Sequence, residues 1–461
     1  MSPNGFPSSG STPPGHAMYA LAKRLFPICR SITGDGFRRS LEIIAEYIPG
    51  LKVFEVPSGT QVFDWTVPKE WNIRDAYVID PAGKKIIDFK KSNLHVMGYS
   101  TPVDQKMSLD ALQGHLYSIP EQPDAIPYIT SYYKERWGIC LSENQRKSLV
   151  AGEYRVVIDS ELKPGSLTYG EIVIPGSSEK EIFISTYLCH PSMANDELSG
   201  PVVVTELIKH LLTSIDKEKP RYTYRFIFIP ETIGSITYLS RNLKQLQKNV
   251  IAGFNISCVG DSRCYSYLSS RAENTLADRA AVHALTFTDP NFKRYSFLDR
   301  GSDERQYCAP GIDLPVCCIT RSKINEYPEY HTSLDDLDLI SPEGLQGSFD
   351  VILKAFRCIE LNEYLKIKVL GEPQLGKRGM YPTISTKDTR EQVEDMMNFI
   401  AYLDGRLSTL EIADKINAPL WSLEETIAKL KKHELVESVA SPLPSNIDNV
   451  VELNNTIKNI V

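Results

Sequence analysis

The sequence predicts an α/β protein with a buried, mostly parallel sheet, interrupted by a β-rich insert and followed by a small helical domain. Three observations predict this. Near-continuous apolar segments (EIFISTYL, YTYRFIFIP, VIAGFNISCV, LPVCCIT) alternate with amphipathic ones (PVVVTELIKHLL, SITYLSRNLKQL, EGLQGSFDVILKAFRCIELNEYL). Such alternation marks strands covered on both faces by helices. Residues 63–154 show a different texture of short strands, turns and scattered aromatics, and residues 371–461 carry short helical periods separated by turns.

Taken in order, residues 1–16 (MSPNGFPSSGSTPPGH) are rich in Ser, Pro and Gly and are expected to form a disordered tail. MYALAKRLFPI and FRRSLEIIAEYI have helical periodicity, and LKVFEV alternates as a strand. Within the insert, AYVID-PAGKK-IIDF reads as a hairpin turning at Pro81, Ala82 and Gly83. The core domain is expected over 17–62 and 155–370. GEPQLGKRGMYPTIS then forms a linker. In the last segment Ser408 followed by Glu411 makes a capping box. Two helices joined by a tight turn at Ala418-Pro419 and followed by LVESV read as a winged helix-turn-helix.

Composition narrows the class. The 461 residues are 42 % hydrophobic and 24 % charged with a net charge of −7. That is ordinary globular usage, and it excludes collagen-like, coiled-coil and wholly disordered chains. No apolar run approaches the ~20 residues that span a bilayer, and the N-terminus lacks a secretory pattern. Nine cysteines, an odd number without a C-x-x-C motif, are expected to be buried and reduced in the cytoplasm. The terminal segment 391–440 holds ten acidic and five basic residues. Two of the carboxylates, Glu424 and Glu425, open its second helix, where a DNA reader needs donors. This domain is therefore expected to serve packing or protein contacts, with nucleic acid disfavoured.

Three loops at strand ends deliver chemistry. STYLCHPSMANDELSGP carries His190 and Asp196; IFIPETIGS places Glu231 just after a strand; NEYPEYHTSLDDLDLI carries His331. In open α/β sheets ligands gather at the carboxyl ends of strands. Two imidazoles and a carboxylate suit Zn²⁺ with a position left for water, and a separate carboxylate can serve as general base. Alone, any one of the eight histidines is more often structural. Glu231 can equally cap the following helix. Asp303 and Glu304 either cap a helix or line the pocket. The run Asp335, Asp336 and Asp338 reads as a solvated face, and Trp65 and Trp71 read as core or interface.

In combination, CHPSMANDELSG, PETIG and EYHTSLD resemble the active-site segments of zinc aminopeptidases of the aminopeptidase Y and glutaminyl cyclase type, in the same order. RGSDERQYCAPGIDLPVCCI is similar to the Ser-Asp segment of that family. The resemblance covers roughly 165–365 and implies a zinc-exopeptidase-like three-layer sandwich. It implies His190, Asp196 and His331 as metal ligands and Glu231 as general base. It departs at Thr232, where the two-metal enzymes have a Glu, and at Ser257, where they have an Asp. Both departures imply one zinc per chain, unless Asp261 substitutes. The carboxylate that follows the first His by two residues is also replaced, by Ser192. Over nearly its full length, from LFPICRSITGDGFRRSLEIIAEYI through DWTVPKEWNIRDAYV to the winged helix, the chain resembles aminopeptidase-like proteins labelled as polysaccharide-biosynthesis proteins.

The implied activity is hydrolysis of an amide bond in a peptide or an amide-containing small molecule. Cleavage of an amino sugar or its conjugate is a close variant. A non-catalytic metal- or ligand-binding protein is the rival; Thr232 and Ser257 favour it and Glu231 opposes it. A homo-oligomer formed through the insert or the winged helix is a further expectation.

Overall fold

The computed structural model describes residues 13–215, 219–381 and 387–440. Most of the expected tail lies outside these residues. Its last part, from Pro14, already belongs to the helix Pro14–Leu25. Proline suits the first helical position, because its missing N–H has no partner there anyway.

Two compact units, Met1–Leu353 and Lys354–Val461, divide the chain. The first is built on an eight-stranded sheet. Its order is Lys52–Pro57, Ser166–Ile174, Tyr222–Ile229, Ser178–Tyr187, Val250–Asn255, Val316–Thr320, Ser266–Leu268 and Lys293–Tyr295. The four central strands are parallel. The strands flanking them on either side run antiparallel to them. Every residue from Glu181 to Tyr187 is buried, the condition of a strand covered on both faces. The one charge buried in the neighbouring strand, Arg225, is met by Glu181 at 2.6 Å and Glu171 at 2.6 Å.

The helices Ser199–Ser214, Ile233–Asn249 and Leu276–Thr286 link or pack on these strands. The first of them comes unusually close to the sheet. A Cβ on Gly200 would lie 2.4 Å from the Ile256 carbonyl oxygen and 2.5 Å from Thr186 Oγ1. Only glycine permits this approach, and it sets the height at which the preceding loop meets the strand ends.

The insert folds as a four-stranded antiparallel sheet in the order Lys85–Asp88, Glu70–Ile79, Glu153–Lys163, Val103–Ser108. The expected hairpin is present, with Asp80 Oδ1 accepting from the Ala82 and Lys84 N–H groups in its turn. This sheet continues past the boundary expected at 154, because Glu153–Lys163 is one unbroken strand whose alternating burial pairs it with two insert strands.

In the second unit, Tyr364–Ile367 is the middle strand of a three-stranded antiparallel sheet with Asp404–Ser408 and Val436–Ser438. The boundary expected after 370 therefore falls too late. Ser408 accepts from the Glu411 N–H while Glu411 returns the bond to the Ser408 N–H. Helices Thr409–Ile416 and Glu424–Lys432 bury Leu410, Ile412, Ile427 and Leu430. Glu424, at the start of the second helix, faces the Arg357 guanidinium. Among the described residues no helix is long and apolar enough to cross a membrane.

A test of this packing is Gly200→Ala. Forcing a methyl against two fixed oxygens is expected to cost about 1–3 kcal/mol, read as a lower denaturation midpoint in urea at unchanged m-value.

Candidate metal centre

The strand Ser178–Tyr187 ends in the segment Leu188 to Met193, which places His190, and a single π-type turn, Ala194–Leu198, follows. Within that turn Asp196 leaves helical angles (φ −95°, ψ 61°), and such turns concentrate at functional sites. Glu231 follows the adjacent parallel strand Tyr222–Ile229. His331 sits in the loop between Val316–Thr320 and the helix Pro342–Leu361, in the left-handed region at φ 55°.

These loops converge. His190, Asp196 and His331 each present a ligand atom, and all three atoms lie within 4.8 Å of one another. Asp196 Oδ2 and His331 Nε2 are 3.0 Å apart, yet both are buried polar atoms without a well-formed hydrogen bond. Orphaned buried atoms need an explanation. A cation between them supplies one, and two imidazoles with one carboxylate form the donor set that zinc accepts. Burial alone raises the Asp196 carboxyl; the two imidazoles and the Tyr187 hydroxyl outweigh it and hold it at about 2. Glu231 lies on the open side, its side chain 22 % exposed, with Oε2 3.5 Å from His190 Nε2.

Two buried carboxylates hold the ligand loop. Glu197 Oε2 accepts from the backbone N–H groups of Cys189 and His190. Its Oε1 meets Arg30 Nε at 2.7 Å, both side chains being fully buried. Burial raises the Glu197 carboxyl against the pull of Arg30. Asp335 Oδ1 accepts from the N–H groups of Ala194 and Asn195 at 3.0 and 2.6 Å, and Oδ2 accepts from Asp196 N–H at 2.9 Å and Tyr327 Oη at 2.9 Å. Asp335 is thus buried rather than solvated, contrary to the reading of its run. Burial pushes it up to about 6, with the Asn195 N–H opposing and Asp196 adding to the rise. In place of the carboxylate replaced by Ser192, His190 Nδ1 faces the Asp196 carbonyl oxygen at 3.4 Å.

Asp261 does not join the cluster. Its carboxylate is taken up by Asn195 Nδ2, the Ser322 N–H and hydroxyl, and the Arg263 N–H, which makes it a brace between loops. Asp303 and Glu304 tie neighbouring loops together. Asp303 Oδ1 accepts from Thr232 N–H at 2.8 Å and Ser235 Oγ at 2.7 Å, and burial followed by the Glu231 charge pushes its carboxyl up to about 8. Glu304 accepts from Gly301 and Ser302 N–H and from Asn255 Nδ2. Trp71 is core, its Nε1 donating to the Ser100 carbonyl, whereas Trp65 is 39 % exposed and meets exposed Tyr133 edge to face.

The insert reaches the centre, which the sequence reading left open. Its loop forms a bridge at Pro127 to Thr332, and Tyr128 N–H donates to the His331 carbonyl at 2.9 Å. The Tyr128 ring lies 5.0 Å from the His190 ring and 5.1 Å from that of His331. Its hydroxyl is 2.9 Å from that of Tyr132. Tyr330 stacks on His331 at 3.9 Å. Arg30, Tyr128, Tyr132, Glu197 and Tyr330 were all missed as site residues. Only Glu197 and Tyr330 had a signal, being direct neighbours of Asp196 and His331 in the chain.

A Clostridium acetobutylicum protein named as a polysaccharide biosynthesis protein with an aminopeptidase-like domain is 45 % identical over 431 residues, 93 % of this chain and 98 % of that one. A crystal structure described as a peptidase from the same organism superposes with a TM-score of 0.85 at 44 % identity, covering 92 % of this chain and 96 % of that chain. A zinc aminopeptidase from Bacillus subtilis (TM-score 0.52, 14 % identity, 74 % and 93 % covered) shares the fold. So does a peptidase M28 precursor from Shewanella amazonensis (0.51, 14 %, 74 % and 92 %). A winged helix-turn-helix profile matches residues 362–438. The profile described as domain of unknown function (DUF4910) matches residues 19–362, and the chain, an aminopeptidase-like α/β protein, belongs to that family.

Proposed function

We propose that the chain is a zinc-dependent hydrolase of amide bonds, with His190, Asp196 and His331 holding one metal ion and Glu231 acting as general base. The observation that carries this reading is the orphaned pair Asp196 Oδ2 and His331 Nε2 within a three-ligand cluster, beside a carboxylate that is not part of it. Zinc, when bound, polarises the substrate carbonyl and acidifies water. Glu231 removes a proton from the attacking water, the water oxygen bonds to the carbonyl carbon, and the carbon–nitrogen bond breaks. Glu231 then returns the proton to the leaving amine. Tyr128 and Tyr330 pack against the imidazoles on this face. Thr232 offers a hydroxyl where a second ion needs a carboxylate, which supports a single zinc. The nine unpaired cysteines support a reducing compartment, the cytoplasm.

Peptide amines are the default leaving group. The name of the C. acetobutylicum relative favours an amino-sugar conjugate as a second reading. The exposed Trp65–Tyr133 pair, next in sequence to Tyr132, favours it too, since exposed aromatic faces suit the apolar face of a sugar ring.

Elemental mass spectrometry of the purified protein is expected to find about one zinc per chain, lost in His190→Ala and in His331→Ala. Glu231→Gln is expected to keep the metal while hydrolysis falls by roughly 10²–10⁴-fold, the usual worth of a general base. Asp335→Ala removes the side-chain acceptor for the Asn195 and Asp196 N–H groups of the ligand loop, while the Ala194 N–H keeps the main-chain carbonyl of residue 335. The substitution is expected to weaken zinc affinity by about 10–100-fold, read by competition with a chelating dye.

A further inference from the structure

Arg305 begins in the short helix Glu304–Tyr307 and reaches across to the Glu231 loop. Its Nη2 donates to Thr232 Oγ1 at 2.5 Å. Thr232 is held in an unusual conformation, φ 64° and ψ −73°, which a β-branched residue avoids. Four bonds keep it there: its N–H to Asp303, its carbonyl accepting from Ser235 Oγ and Ile236 N–H, and its hydroxyl accepting from Arg305. The Glu231 backbone is therefore coupled to the position of the guanidinium. The charge of Arg305 is also felt by the Tyr330 hydroxyl, on the ring that stacks on His331. Arg305 thus lies beside the Glu231 loop, through its bond to Thr232.

Arg30, Arg38, Arg225 and Arg263 each face a carboxylate, from Glu197, Glu70, Glu181 and Glu329 respectively. Arg305 is exposed and, among the described residues, makes no ion pair, only the bond to the neutral Thr232 hydroxyl. A guanidinium has five donors in a planar fork that matches a carboxylate or phosphate. One donor is used to fix the group in place, and the rest remain for a ligand.

We propose that Arg305 is the anchor for an anionic group on the substrate, so that the site takes amides carrying a carboxylate close to the scissile bond. This rests on the hydrolase reading and adds the substrate's charge to it. Arg305 places a positive charge beside the Glu231 loop. Such a charge attracts an acidic substrate and repels a basic one.

The test uses two probes of nearly equal shape, the 4-nitroanilides of L-glutamate and L-glutamine. Both are titrated by calorimetry into the zinc-loaded full chain carrying Glu231→Gln, which blocks turnover. The acidic probe is expected to bind at least tenfold more tightly. Adding Arg305→Gln is expected to abolish the difference and Arg305→Lys to retain part of it, with zinc content and melting temperature unchanged in both. Equal affinities, a preference that survives Arg305→Gln, failure of both probes to bind, or an equal loss of both probes with a lowered melting temperature would each overturn the anchor. The hydrolase reading fails separately, through absent zinc in the wild-type chain or through probes that bind and are never cleaved by it.

Discussion

Five backbone N–H groups between Cys189 and Asp196 lie buried past the end of a strand, and two acidic residues satisfy them. Glu197 takes those of Cys189 and His190; Asp335 takes those of Ala194, Asn195 and Asp196. A buried N–H without a partner costs about 1–3 kcal/mol, so this loop has no stable shape without both acids. The acids need compensation in turn. Glu197 has Arg30, and removing one member of such a buried pair costs about 3–5 kcal/mol. Asp335 has Tyr327. The positions of His190 and Asp196 thus depend on a residue of the N-terminal segment and on one of the loop that bears His331. The three ligands are set by one hydrogen-bonded unit.

The rest of the first unit serves that arrangement. Parallel pairing of Ser178–Tyr187 with Tyr222–Ile229 brings Glu231 beside His190. Gly200 lets the following helix approach the sheet, and Asp261 ties Asn195 to the Ser322 loop. The insert is bound to the His331 loop by backbone hydrogen bonds and lays Tyr128 over both imidazoles. The insert therefore borders the cluster of His190, Asp196 and His331.

Much of this was legible in the sequence. Continuous apolar runs disclosed the central strands, because a strand buried on both faces has no polar alternation to hide it. The Ser408–Glu411 capping box was visible because both partners lie within one turn. His190, Asp196, Glu231 and His331 lie at strand ends, and it was the resemblance of their segments to zinc aminopeptidases that singled them out. What stayed hidden depends on long-range pairing. Arg30 and Glu197 are 167 residues apart, and no local pattern announces such a bond. Asp335 looked solvated because its neighbours Asp336 and Asp338 are polar, and its own burial is decided by a loop more than a hundred residues upstream. Domain edges were misplaced where one strand serves a sheet on the far side of a texture change, as Glu153–Lys163 and Tyr364–Ile367 do.

In the proposed reading, one metal ion sits where His190, Asp196 and His331 meet. Anomalous diffraction at the zinc absorption edge, on crystals grown with zinc supplied, tests it most directly. A single strong peak is predicted between His190, Asp196 and His331, within about 2.0–2.2 Å of a nitrogen or oxygen of each. A second peak next to Thr232, or no peak at the cluster, would contradict the account.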